Sequence, residues 1–364
     1  MLKGWSTHPA HAFETTAEYA IIKDFQTQRI LFEKQINKRM YPASMTKIMT
    51  AYLAFEALKN GTIKLSDQLT VSVKAWRKGG SKMFLEAGSK VSIENILRGI
   101  IIQSGNDASI ALAEHLAGSE EAFADMMNRK AKKLGMHNTN FTNSSGWPND
   151  NHYTTAADLV KLAESMIQNF PEFYHLYSET SFTYNNIRQN NRNPLLYDSY
   201  LAVDGLKTGH TEASGYGLTA SANKNQHRLT MVINGLNSTS ERTQQSKALL
   251  QWAFNNFTLK RFFDTNAPIV EIPVWFGHKA TVKAKALHMQ LLTLSHDEFD
   301  QATLHLHYKT YPKAPIKKGD TLGIIKIKVP GMPSSDIKLI ADETIERQAF
   351  ITEILSKIAL LVSH

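Results

Sequence analysis

The chain contains no cysteine, which excludes disulfides, thiolate metal sites and a cysteine nucleophile. Nor does any stretch reach the roughly 18 to 20 apolar residues that a membrane-spanning helix needs. Low-complexity tracts are missing, and no basic cluster coincides with a nucleic-acid-reading motif, so nucleic acid is not an expected partner. The first twelve residues, MLKGWSTHPAHA, lack the apolar core of a secretion signal, although Ala10-His11-Ala12 has the small-x-small pattern of a cleavage site. Residues 1–12 therefore read either as the remnant of an export signal or as an ordinary terminus.

What is present describes a globular protein. With 364 residues, 42% hydrophobic and 20% charged, the chain can bury a sizeable core and divide into two domains. A formal net charge of +8 suits an anionic partner such as a membrane surface or wall polymer, and equally an ordinary lysine-rich surface.

The pattern begins with two predicted strands, Tyr19 to Ile22 and Arg29 to Phe32, around a polar turn. A helix follows from Met45 to Leu58, closed by Asn60-Gly61. Further helices are expected over Ile93 to Ile102, Ala108 to Ala117, from about Ser119 to Gly135, and Ala156 to Ile167, with a polar loop from Asn138 to Tyr153. Strands return at Phe182 to Tyr184, Gly205 to Thr208, Tyr216 to Ala222 and Leu229 to Ile233, before a closing helix from Glu241 to Phe257. Strands at both ends with helices between them predict an α+β domain, one antiparallel sheet covered by helices, over residues 13–262.

After Phe263, short alternating segments separated by turn residues predict a small all-β domain over residues 263–345. Its His278, His288, His305 and His307 have no carboxylate or cysteine companion at ligand spacing, so no metal or other cofactor is expected. Residues 346–364 form the last element. Apolar residues at 350, 351, 354, 355, 358, 361 and 362 fall on one side of a helix, amphipathic and too short to span a bilayer but suited to lie on one.

Three short motifs carry chemistry. In Tyr41-Pro42-Ala43-Ser44-Met45-Thr46-Lys47, the serine and lysine stand three apart at a helix start, so the amine of Lys47 can reach the hydroxyl of Ser44. A serine hydroxyl becomes a nucleophile when a neighbour takes its proton, and a lysine does so if burial or nearby positive charge lowers its pKa. Taken alone, Ser-x-x-Lys also describes an N-cap serine followed by a surface lysine. Two further motifs follow, Ser104-Gly105-Asn106 between two helices and Lys207-Thr208-Gly209 on a strand. In this order the three form the set of the serine penicillin-binding enzymes.

Beyond the motifs, Pro42 to Thr50, Leu97 to Ile100 with Gln103 to Ala108, Ile187-Arg188-Gln189 with Asn191-Arg192-Asn193, and Val203 to Thr211 closely resemble the D-alanyl-D-alanine carboxypeptidases among the low-molecular-mass penicillin-binding proteins. The resemblance covers nearly the whole chain and implies a β-lactamase/transpeptidase-like fold for the first domain. It further implies a serine enzyme at the periplasmic face of the inner membrane, held there by the C-terminal helix, acting on peptidoglycan pentapeptides and inhibited by β-lactams. By the same resemblance, Ser44 attacks the carbonyl between two D-alanines, Lys47 is the base, and Ser104 relays a proton to the leaving amine. Asn106 would bind the peptide amide, and Lys207, Thr208 and Arg242 would face the terminal carboxylate. Gly209 would let substrate lie close to the strand, and the backbone N–H groups of Ser44 and His210 would form an oxyanion hole. The loop from Trp76 to Met83 is shorter than in the best-known members. A β-lactamase shares the three motifs, but its class A form needs a deacylating glutamate after Ser-x-Asn, and none lies between Glu121 and Glu164. A catalytically idle wall-binding scaffold is the alternative from another class.

Overall fold

The computed structural model describes residues 13–308 and 311–348. The chain divides into two compact units, one ending at Asn255 and the other beginning at Asn256. The first is built on a five-stranded antiparallel sheet in the spatial order Ile30–Lys34, Tyr19–Asp24, His227–Leu236, Gly215–Lys224, Val203–Thr211. The early hairpin thus joins the late strands through the register Tyr19 opposite Asn234 to Asp24 opposite Leu229.

Successive side chains on a strand point to opposite faces, and both faces of this sheet are covered. Tyr19, Ile21, Leu206 and Val232 enter the core shared with the helical block. Their neighbours Ala20, Ile22, Met231 and Ile233 enter a second core with Leu249, Leu250 and Ala253 of the helix Thr239–Asn256. This is the α+β arrangement that the pattern of strands and helices predicts.

At the middle of the helical block lies the helix Lys47–Lys59, buried at every position from Lys47 to Phe55. A helix with no wet face belongs at the centre of a domain, and this one packs against Ile93–Ile101, Asn106–Ala117 and Ala156–Asn169. The surrounding helices start where side-chain oxygens meet free backbone amides. Ser92 accepts from Asn95, Ser119 from Ala122 and Thr155 from Asp158. The helix predicted from Ala108 in fact begins at Asn106, which moves Asn106 from the loop into the first helical turn. The next residue, Asp107, is fully buried. Its carboxylate accepts from the backbone N–H groups of Met83 (2.9 Å) and Leu85 (3.1 Å) and so ties the segment after the helix Val73–Arg77 to the motif Ser104-Gly105-Asn106.

In the second unit, Phe257–Phe262 pairs with Gln290–Ser295, and a five-stranded antiparallel sheet runs in the order Val270–Pro273, Thr281–Ala286, Ser335–Ala341, Thr321–Lys328, Thr303–His307. Two points correct the sequence reading. Phe257–Phe262 belongs with this unit, so the division falls after Asn255 rather than after residue 262. The unit also contains a short helix, His296–Asp300, opened by a capping box of Ser295 and Glu298, so its described residues are not all-β. Residues 1–12 and the predicted amphipathic stretch 350–362 lie outside the described residues. No helix among the described residues is long and apolar enough to cross a membrane.

Replacing Asp107 by alanine removes the side-chain acceptor of three buried amides at once, those of Met83, Leu85 and Ala108. Hydrogen bonds to charged groups contribute about 1.5 to 3 kcal/mol each, so Asp107→Ala is expected to lose about 3 kcal/mol or more in urea unfolding. Asp107→Asn, which keeps one acceptor, is expected to lose clearly less.

Candidate active site

The site begins with a strained turn. Pro42 precedes a single 3-10 turn, Ala43–Thr46, in which Ala43 adopts φ +47°, a left-handed conformation uncommon for a residue with a side chain. The turn presents Ser44 while Met45 and Thr46 are buried beneath it. The α-helix starts three residues later, and Lys47 Nζ lies 3.0 Å from Ser44 Oγ.

Lys47 is buried, and its nitrogen meets two further oxygens, Asn106 Oδ1 at 2.8 Å and the carbonyl of Ser145 at 2.6 Å. A neutral amine has two N–H donors and one lone pair. Two carbonyl oxygens take the donors, which leaves the lone pair for the hydroxyl of Ser44. Burial pushes Lys47 down to about 7, with Arg192 and Lys78 adding to the effect and Asp107 and Glu120 opposing it. Burial and nearby positive charge are the two causes expected from the sequence, and here burial dominates and Arg192 is the leading cation.

The Ser145 carbonyl reaches Lys47 because the next residue is Gly146. It has φ +79°, and a Cβ there would stand 1.8 Å from the carbonyl oxygen of Ala43, closer than any side chain permits. From the other side, Gly209 packs on the same turn, since its Cβ would lie 2.7 Å from the oxygen of Pro42. Gly209 was expected to clear a path for substrate. Its neighbours show that it also lets the strand Val203–Thr211 close onto the serine turn, while it lines the cleft beside Ser44.

Across the site, Lys207 Nζ donates to Ser104 Oγ at 2.9 Å. Both residues are buried, and Ser104 adopts φ +60°. Burial, then the charges of Lys47, Arg192 and Arg242, hold Lys207 well below the usual lysine range. The two lysines thus disfavour each other's protonation. Asn106 is engaged at both ends, by Lys47 and by Nδ2 donation to the carbonyl of Gly79 at 2.9 Å. It clamps the lysine to the neighbouring loop, and an incoming amide would have to compete for it.

Ser44 sits where two clefts meet. One, of about 430 Å³, is lined by Ser104, Thr208, Arg192 and Arg242 among others, and no Asp or Glu among the described residues lines it. Arg242 is only 8% exposed, its guanidinium lies 5.9 Å from the ring centroid of Tyr216, and its Nε has no partner among the described residues. A buried cation without a carboxylate is costly, and an anion in the cleft relieves that cost. The second cleft, of about 510 Å³, leads past Asn106, Ser145, Trp147 and His210. The His210 ring is stacked on Tyr216 at 3.7 Å, and His210 lines both clefts together with Ser44. All nine residues singled out from the sequence are therefore gathered here: Ser44, Lys47, Ser104, Asn106, Lys207, Thr208, Gly209, His210 and Arg242.

Comparison with known proteins identifies the family. A family model described as D-alanyl-D-alanine carboxypeptidase matches residues 6–238, and one described as the penicillin-binding protein 5 C-terminal domain matches residues 257–347. The chain belongs to the D-alanyl-D-alanine carboxypeptidase family. It is 40% identical to D-alanyl-D-alanine carboxypeptidase DacC of Escherichia coli, over 91% of this chain and 84% of that protein. With DacA of Haemophilus influenzae it shares 38% identity over 90% of this chain and 86% of the relative. A crystal structure of penicillin binding protein 5 from Haemophilus influenzae superposes with a TM-score of 0.76 at 35% identity, covering 92% of this chain and 99% of that one.

For this carboxypeptidase, sequence reasoning gave no role to Arg192, which the string Asn191-Arg192-Asn193 contains. The signal was the arginine between two asparagines. Asn191 donates to the Glu179 carbonyl at 2.9 Å and Asn193 to that of Gly205 at 3.1 Å, fixing the backbone so that Arg192 reaches the cleft and binds Ser81 Oγ at 2.6 Å. The Ser145 carbonyl carried no signal at all, because any residue supplies one.

Were the neutral Lys47 amine the proton acceptor, penicillin acylation of this carboxypeptidase would be expected to fall as pH drops through about 7, where Lys47 takes up a proton, and to level off above it. Arg192→Ala removes a cation that opposes this protonation. Its midpoint is expected to move to higher pH in stopped-flow acylation, whereas an unmoved midpoint would separate Arg192 from Lys47.

Proposed function

We propose that the enzyme removes the terminal D-alanine from peptidoglycan pentapeptides through an acyl-enzyme on Ser44. The observation that carries this reading is the buried Lys47 nitrogen, 2.6 and 2.8 Å from two carbonyl oxygens and 3.0 Å from Ser44 Oγ, so that a neutral amine donating to the first two has its lone pair left for Ser44. Ser44 Oγ attacks the peptide carbonyl carbon and its proton passes to Lys47 Nζ. A proton then reaches the departing D-alanine nitrogen through Ser104, which Lys207 holds in place. The carbon–nitrogen bond breaks, and water later releases the shortened peptide from Ser44. Backbone N–H groups of Ser44 and His210 would stabilise the oxyanion, a contribution of roughly 3 to 4 kcal/mol per donor in comparable enzymes.

Substrate direction follows from charge. The terminal carboxylate enters the cleft of Arg192, Thr208 and Arg242, and the rest of the stem peptide extends along the cleft of Asn106 and Trp147. A β-lactam mimics the same bond and acylates the same serine. Glu120, the buried acid nearby, is turned to the amide and hydroxyl of Ser144 at 3.1 and 2.8 Å, which supports slow release of penicillin rather than β-lactamase turnover.

The apolar stripe at 350–362 supports attachment of the C-terminal segment to a membrane surface, in a family reading that places the enzyme on the periplasmic side of the inner membrane. Seven apolar side chains at about 1.5 to 3 kcal/mol each when fully buried leave ample stabilisation even with partial insertion.

Ser44→Ala is expected to abolish both D-alanine release from a peptide ending in D-Ala-D-Ala and the penicillin adduct seen by intact mass. An adduct on any other serine would overturn the mechanism. Arg242→Ala is expected to lower kcat/KM for a free terminal carboxylate by about 2 kcal/mol, roughly thirty-fold, and far less for the amidated peptide. Equal losses on the two substrates would make Arg242 structural.

A further inference from the structure

One end of the five-stranded sheet in the second unit carries a row of rings. Phe276 and Trp275 lie 6.1 Å apart, Trp275 and Tyr311 6.2 Å, and Tyr311 and Tyr308 5.9 Å between centroids. Trp275 is 39% exposed, Tyr308 37% and Tyr311 41%, so the row keeps a large aromatic area in water. Backbone bonds build it into the fold. Trp275 N–H donates to the carbonyl of Pro312, and Ala314 N–H to that of Trp275, both at 2.9 Å.

The chain leaves the sheet at this same place. Gly277 bridges to Arg347, and Gln348 N–H donates to the carbonyl of Phe276 at 2.9 Å. Residues 349–364 follow, apolar at 350, 351, 354, 355, 358, 361 and 362. Charge around the row is mixed. Lys279 pairs with Glu343, Asp342 is held by Lys285 at 2.9 Å, and Lys313, Lys317, Lys318, Asp320 and Glu346 stand close by in sequence. Recognition there rests on the rings rather than on one sign of charge.

We propose that this end of the sheet is a lipid-contacting collar, with Trp275, Tyr308 and Tyr311 at the headgroup level of the bilayer on which the C-terminal segment lies. Trp and Tyr join an apolar body to a polar tip and favour that interface. A glycan strand could stack on the rings, but it would not account for the apolar segment that begins two residues beyond Gln348. The proposal rests on the membrane reading of that segment and adds a second point of contact, which limits how the β domain can tilt on the surface.

The test uses the full chain and phosphatidylcholine vesicles with and without phosphatidylglycerol. In co-sedimentation, the combined variant Trp275→Ala, Tyr308→Ala, Tyr311→Ala is expected to partition about ten-fold more weakly while releasing D-alanine from a soluble peptide at the parent rate. Brominated lipid is expected to quench the parent's fluorescence more than that of Trp275→Phe, with little dependence on phosphatidylglycerol. Equal partitioning of parent and variant would overturn the collar and leave the C-terminal attachment standing. No vesicle binding by the parent would overturn both. Stronger binding by the variant together with lower thermal stability would also overturn the collar, by showing that the rings pack on residues 349–364. So would loss of binding to purified glycan strands with vesicle binding unchanged.

Discussion

The site depends on a lysine held without a counter-ion. Lys47 is surrounded by oxygens that carry no full charge, namely Ser44 Oγ, Asn106 Oδ1 and the Ser145 carbonyl. The carboxylates whose fields it feels, Asp107 and Glu120, are committed to Met83, Leu85 and Ser144. A closer acid would hold the ammonium charged and take the lone pair away from the serine. The surrounding fold keeps acids at one remove, and the same acids brace the loops that shape the site.

Two permanent cations, Arg192 and Arg242, line the cleft beside the lysine amines, and burial pushes Lys47, Lys207, Arg192 and Arg242 all below their usual ranges. In the function proposed above, a terminal carboxylate entering this cleft would pair with Arg192 and Arg242 and favour a chain end over a chain interior, so that binding and specificity would share one electrostatic origin.

How far the sequence reaches depends on the range of the interaction. Local rules were enough for Ser44 and Lys47, whose spacing at a helix start brings them together, and for the alternating strands of the main sheet. The order of three motifs brought Ser104, Asn106 and Lys207 to the same site. What stayed hidden depends on contacts between distant segments. Phe257 reads as the end of a helix until Ser295 appears as its strand partner, and Gly209 reads as open space until the turn at Pro42 is seen against it. The Ser295 to Glu298 capping box was local and legible, but it lay inside a run of strand-like segments whose pattern outweighed it.

The serine helix is buried on every side over its first nine residues, from Lys47 to Phe55. A wet helix can fray or shift while the rest of a domain holds, whereas this one has no solvent face through which to loosen. Its amides belong to the part of the molecule that opens only when the whole unit opens. The position of the nucleophile is therefore tied to the cooperativity of folding. Heat or denaturant should leave the catalytic geometry intact up to the transition and then remove it together with the core.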